Sequence, residues 1–112
     1  MFGYLYYRLD SSGNVIVNGF ADVKNITSGT LAIPLGNTPS DYPKSTNQPD
    51  PKGLNAYIFA QDPNDASGEY AFVHSNNWTV YISNGQFILK GGISYTNNEV
   101  YTLINGLILT SK

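Results

Sequence analysis

The chain has 112 residues, a formal charge of −2 and charged side chains at only 12% of its positions. That length suits one domain, which buries roughly 65% of the surface its unfolded chain exposes. The six basic residues are scattered and give no stripe for nucleic acid, there is no cysteine for a disulfide or thiolate metal site, and no apolar run nears the ~20 residues of a membrane span.

Helical signals are nearly absent, because β-branched and aromatic residues dominate every apolar run and turn residues interrupt the chain at short intervals. The pattern predicts an all-β fold, an antiparallel β-barrel or β-sandwich. Residues 2–9 and 14–24 read as two strands joined by Asp10-Ser-Ser-Gly13, and 30–35 as a short strand opened by Thr27-Ser-Gly29. Residues 36–53 hold Pro39, Pro43, Pro49 and Pro51, so they are expected to form a surface loop or an edge excursion, since proline cannot donate to a ladder. A strand at 54–60 follows, then a turn through Asp62-Pro-Asn-Asp-Ala-Ser-Gly68 into a strand at 70–74.

The next unit is the most sharply defined. Asn84-Gly85 favours a two-residue type I′ turn, which pairs Ser83 with Gln86, Ile82 with Phe87, Tyr81 with Ile88 and Val80 with Leu89. Period-two alternation puts Trp78, Val80, Ile82, Phe87 and Leu89 on the core face, with Thr79, Tyr81, Ser83, Gln86, Ile88 and Lys90 opposite. At the C-terminal end, Val100, Leu103, Ile104, Leu107 and Ile108 match helical spacing. A second hairpin at Asn105-Gly106 is favoured, because glycine inside a helix costs ~1 kcal/mol. That hairpin puts Ile104 and Leu107 on one face and Leu103 and Ile108 on the other. Both faces are then apolar, and the second needs a cover that a neighbouring subunit would supply.

Catalysis has little to work with. The only histidine is His74, G-x-S-x-G is absent, and most of the six Asp and two Glu fall in or beside predicted turns. No catalytic residue is assigned, no cofactor is implied, and the chain is not read as an enzyme. Asp62, Asn64, Asp65 and Glu69 have the oxygen density of a calcium loop without EF-hand spacing, and an acidic turn is the favoured explanation. The densest group suited to a sugar is His74, Asn76, Asn77 and Trp78, with Tyr70 and Asp65 nearby. Indole stacks on a pyranose face while amides and imidazole bond its hydroxyls. Trp78 is either such a platform or a core plug, and the hairpin register favours the plug. In the first strand Tyr4 and Tyr6 share a face opposite Tyr7, and some of these rings are expected at a subunit interface.

The motifs Val15-Ile-Val-Asn-Gly19, Thr27-Ser-Gly-Thr30, Ile33-Pro-Leu-Gly36 with Pro39, Asn84-Gly85 and Gly92-Ile-Ser-Tyr95 occur in that order. In this order and spacing they resemble the receptor-binding head domains of tail-fibre and baseplate proteins from phages of Gram-positive, lactic-acid-type bacteria. Asn37 stands where the family often has tyrosine, the loop after Pro39 is long, and the chain after Tyr95 extends past the usual motif. The resemblance implies residues 1–112 form a single, excised head domain of the virion tail tip or baseplate. It implies a homotrimer of barrels or sandwiches that binds a host cell-wall saccharide or teichoic-acid component without turnover. The expected ligand residues are Tyr70, Asp65, His74, Asn76, Asn77 and Trp78, assisted by the 36–53 loop. Neither nucleic acid nor membrane insertion is expected. The alternatives are a bacterial carbohydrate-binding or adhesin module and a purely structural virion decoration domain.

Overall fold

A computed structural model describes residues 2–26, 29–47, 54–61, 70–75, 78–93 and 96–111. Among them every regular element is a strand: β1 (Phe2–Leu9), β2 (Val15–Ile26), β3 (Gly29–Asn37), β4 (Leu54–Gln61), β5 (Tyr70–Ser75), β6 (Thr79–Ser83), β7 (Gln86–Ile93) and β8 (Thr96–Leu109). They form a five-stranded sheet, β1-β2-β8-β4-β5, and a three-stranded sheet, β3-β7-β6, with all described pairings antiparallel. The sheets do not close into a barrel. They face each other across one core, in a sandwich-like arrangement.

The core follows from alternation. Val15, Val17 and Val23 of β2 and Val100, Ile104, Leu107 and Leu109 of β8 meet Val80 and Ile82 of β6, Phe87 and Leu89 of β7, and Trp78. Leu5, Leu9, Ile33, Leu35 and Tyr42 pack around them, half buried. Each fully buried side chain of this kind contributes about 1.5–3 kcal/mol against the entropy of ordering the chain. The β6–β7 hairpin has the register its turn dictates, from Ser83 opposite Gln86 to Val80 opposite Leu89. Its turn residues take left-handed values, with φ of 49° at Asn84 and 73° at Gly85. Ile88, expected on the outer face, is nonetheless buried, flanked across the ladders by Tyr81 and Pro34.

The second Asn-Gly pair does not make a hairpin. Strand β8 runs unbroken through Asn105-Gly106, and the β2 register steps from Val17 opposite Leu107 to Gly19 opposite Ile104. One residue of β2 therefore faces two of β8, which is a β-bulge. Gly106 takes φ +66°, and its N–H donates to the Asn18 Oδ1 at 2.8 Å. The side chain of Asn18 thus replaces the ladder partner that the extra residue displaces. The bulge also reverses parity, so Ile104 and Leu107 both point into the core while Leu103 and Ile108 stay exposed. The expected division of faces is present, produced by a bulge in one strand.

Residues 38–47 bind the two sheets at one edge. Thr38 N–H donates to the Gly85 carbonyl, and Gly85 N–H to the Lys44 carbonyl, so the segment follows the β6–β7 turn. Thr46 N–H then donates to the Ile82 carbonyl, while Ile82 N–H donates to the buried Thr46 Oγ1 at 2.9 Å. Asn47 N–H donates to the Thr110 carbonyl and its Oδ1 accepts from Thr110 N–H. This strap covers the outer edge of β6 and ties it to the end of β8. On the other side β1 and β3 are edge strands of their respective sheets.

Candidate functional site

Trp78 is fully buried, and its indole lies across Gly91. A Cβ at Gly91 would stand 2.1 Å from the Cδ2 of the indole and 2.5 Å from its Cε2, so only glycine admits the ring there. The ring is a core plug and offers no face to a ligand. Its Nε1 has no hydrogen-bond partner among the described residues.

His74 and Tyr70 are backbone positions of β5, while Asp65, Asn76 and Asn77 lie outside the described residues, as does the acidic turn 62–69. The pairings set His74 opposite Tyr57, Tyr57 opposite Tyr101, and Tyr101 opposite Asp22. At a strand spacing of ~4.8 Å, position 74 stands ~14 Å from Asp22 along this row. The described backbone thus connects position 74 with Tyr101, whereas Trp78 belongs to the core between the sheets.

The row carries a pair of carboxyls. Asp22 and Glu99 are diagonal neighbours across β2 and β8, and the Glu99 carboxyl is held above the usual carboxylate range. The main cause is a side-chain hydrogen bond with Asp22, followed by burial and the negative charge of Asp22, with Lys24 opposing. A carboxyl beside a second carboxyl and partly removed from water ionises less readily, which gives the Glu99 shift its direction.

The same side of the sheet bears a train of rings. Tyr6 lies 4.9 Å from Tyr4, Tyr4 meets Phe20 edge-on at 4.7 Å, and Phe20 stacks on Tyr101 at 5.4 Å. Tyr6 is 68% exposed and Tyr4 51%, and Leu103 and Ile108 are exposed on the same side. Tyr7 points the other way, between Phe87 at 4.9 Å and Tyr42 at 5.7 Å. The alternation of β1 produces this split, because residues two apart share a face.

Where β1 approaches the end of β3, the sheets leave a cleft of ≈ 230 Å³. It lies along the paired positions Gly3 and Ala21, with Tyr7, Leu35, Gly36 and Asn37 among its walls. None of its lining residues carries a charge. Gly36 opens one wall: at φ +145° it has no heavy atom within 4 Å of where a Cβ would stand. Beside it the Asn37 Oδ1 accepts from Gln86 Nε2 at 3.3 Å, a pair of exposed amides. A shallower hollow holds Tyr6, Tyr7, Arg8, Ile16 and Asn18. The sequence marks the Ile33-Pro-Leu-Gly36 motif and Asn37, which lie within β3, but does not bring them to Tyr7. That meeting depends on packing between sheets, and only the aromatic density of β1 hinted at it.

No family model, curated protein or solved structure matches this chain.

Proposed function

We propose that this chain is a receptor-binding head domain of a phage tail fibre or baseplate protein, a sandwich that works as a homotrimer at the virion tail tip. It adheres to a saccharide of the bacterial cell wall and performs no chemistry on it. The observation that carries this reading is the uncharged cleft beside Tyr7 at the open β1–β3 edge. Rings, amides and backbone groups without ions suit a neutral, hydroxyl-rich ligand, because ring faces bury C–H surface while amides satisfy hydroxyls. The ordered sequence motifs support the phage assignment. The exposed Tyr4, Tyr6, Leu103 and Ile108 support a contact between subunits on the outer side of the five-stranded sheet. Three linked copies multiply a weak site into firm adhesion.

The test is light scattering on the purified chain, paired with sedimentation of the protein on cell walls from Gram-positive bacteria. A mass near three times 12.2 kDa together with retention on walls is expected. A monomer that binds walls would instead identify a stand-alone carbohydrate-binding module. A trimer that ignores walls would identify a structural decoration domain.

A further inference from the structure

The geometry points to a more specific ligand for the β1–β3 cleft: a single neutral hexopyranose unit, with anionic, phosphate-bearing wall components excluded. This rests on the saccharide reading above and narrows it, because saccharide and teichoic-acid phosphate make opposite electrostatic demands.

The volume comes first. A cleft of ≈ 230 Å³ is smaller than the ~300–1,000 Å³ of sites for drug-sized ligands, and suits one ring with its substituents. The walls come second. Tyr7 is backed by Phe87 and Tyr42 on its inner side, which fixes the ring, and this half-exposed ring lines the cleft. An aromatic wall held this way can take the C–H face of a pyranose without first being ordered. Asn37 supplies the polar contact. Its Oδ1 is engaged by Gln86, which stands outside the lining, and this leaves the Asn37 amide N–H groups for sugar hydroxyls. Gly36 keeps the rim open beside them.

Charge decides the class. A phosphate entering this cleft would shed water and meet no cation among the lining residues. Arg8, the one basic residue of β1, belongs to the neighbouring hollow with Tyr6 and Ile16 and does not line the cleft. A neutral ring carries no such desolvation cost. The cleft therefore discriminates by what it lacks as much as by what it contacts.

The experiment is an amide-shift titration of the isotope-labelled full chain. The probes are methyl glycosides of glucose, galactose, rhamnose, N-acetylglucosamine and N-acetylgalactosamine, with glycerol phosphate in parallel and wall sedimentation run on the same protein. Affinity for the preferred glycoside is expected at about the millimolar level, given so few ligand atoms. Its shifts should centre on Gly36, Asn37 and Gln86, and glycerol phosphate should leave these amides unmoved. Asn37→Ala, at an exposed position, should weaken glycoside binding about tenfold while the rest of the spectrum stays folded, one lost polar contact being of that size. Tyr7→Leu should abolish the shifts, with the spectrum again reporting folding. Wall binding with no glycoside response at these amides overturns the cleft assignment and leaves adhesion standing. Equal shifts from glycerol phosphate overturn the neutral-ligand claim. Glycoside binding at the cleft without wall binding upholds the cleft and removes the wall as its target. Silence in both assays overturns both.

Discussion

Substituting Gly91 with alanine tests the packing of the core at its tightest point. The added methyl would sit 2.1, 2.5 and 2.6 Å from the Cδ2, Cε2 and Cε3 atoms of Trp78. None of these separations is a contact that atoms can hold, and the indole is fully buried with core residues of both sheets around it. Overfilling a packed core costs about 1–3 kcal/mol, and three simultaneous overlaps with a rigid ring put this case at about 3 kcal/mol. For a domain of this size that lowers Tm by on the order of 10–20 °C. Urea denaturation followed by far-UV circular dichroism gives the value. The same substitution in a Trp78→Leu background, where Cε2 and Cε3 are gone, should then cost less than about 1 kcal/mol. A coupling of about 2 kcal/mol between the two positions is the signature of direct contact. If Gly91→Ala costs the same in both backgrounds, the contact with Trp78 is not its cause and the plug account fails.

Other consequences are equally open to measurement. Because the folded Glu99 carboxyl binds its proton more tightly than the unfolded one, its contribution is full below the ordinary glutamate pKa and fades as pH rises through the raised folded value. Glu99→Gln should flatten that decline and raise Tm at neutral pH, and an unchanged pH profile would count against the Glu99–Asp22 contact. Gly106→Val forces a β-branched residue to φ +66° and should cost on the order of 1–2 kcal/mol, whereas Gly106→Asn should cost clearly less. Equal losses in urea denaturation would contradict the left-handed bulge. Thr46→Val leaves the Ile82 N–H without its 2.9 Å acceptor and should destabilise by about 1–3 kcal/mol. Amide exchange at Ile82 should quicken well beyond the global change, and protection kept at its original level would show that the strap does not hold that edge.

The two Asn-Gly pairs show how far the fold can be read from the chain. Asn84-Gly85 is legible because the strands it joins, 79–83 and 86–93, pair directly with each other from that turn onward, so local chemistry decides the register. Asn105-Gly106 carries the same dipeptide with a different outcome, because β2 lies along both sides of it and Asn18 supplies the hydrogen bond that makes a bulge stable. Nothing within the 100–110 segment announces a partner 88 positions away in sequence. The strap is hidden for the same reason: prolines 39 and 43 mark 38–47 as lying outside the main ladders, although β3 runs on to Asn37, yet the bonds of Thr46 to Ile82 and of Asn47 to Thr110 depend on two distant strands. The site divides likewise. Alternation separates Tyr7 from Tyr4 and Tyr6 and sends Trp78 inward, whereas the approach of Gly36 and Asn37 to Tyr7 is a product of sheet-on-sheet packing.

The bulge in β8 also bears on inheritance. In a regularly paired strand, losing a single residue turns every side chain beyond it to the other face. Between Ile104 and Leu107 the strand already carries one residue more than β2 opposes. Loss of Asn105 or Gly106 would return the pair to even register with Ile104, Leu107 and Leu109 still facing inward. The molecule thus holds, in the middle of its longest strand, a spare letter: a place where the gene can change length by one codon and still encode the same two faces.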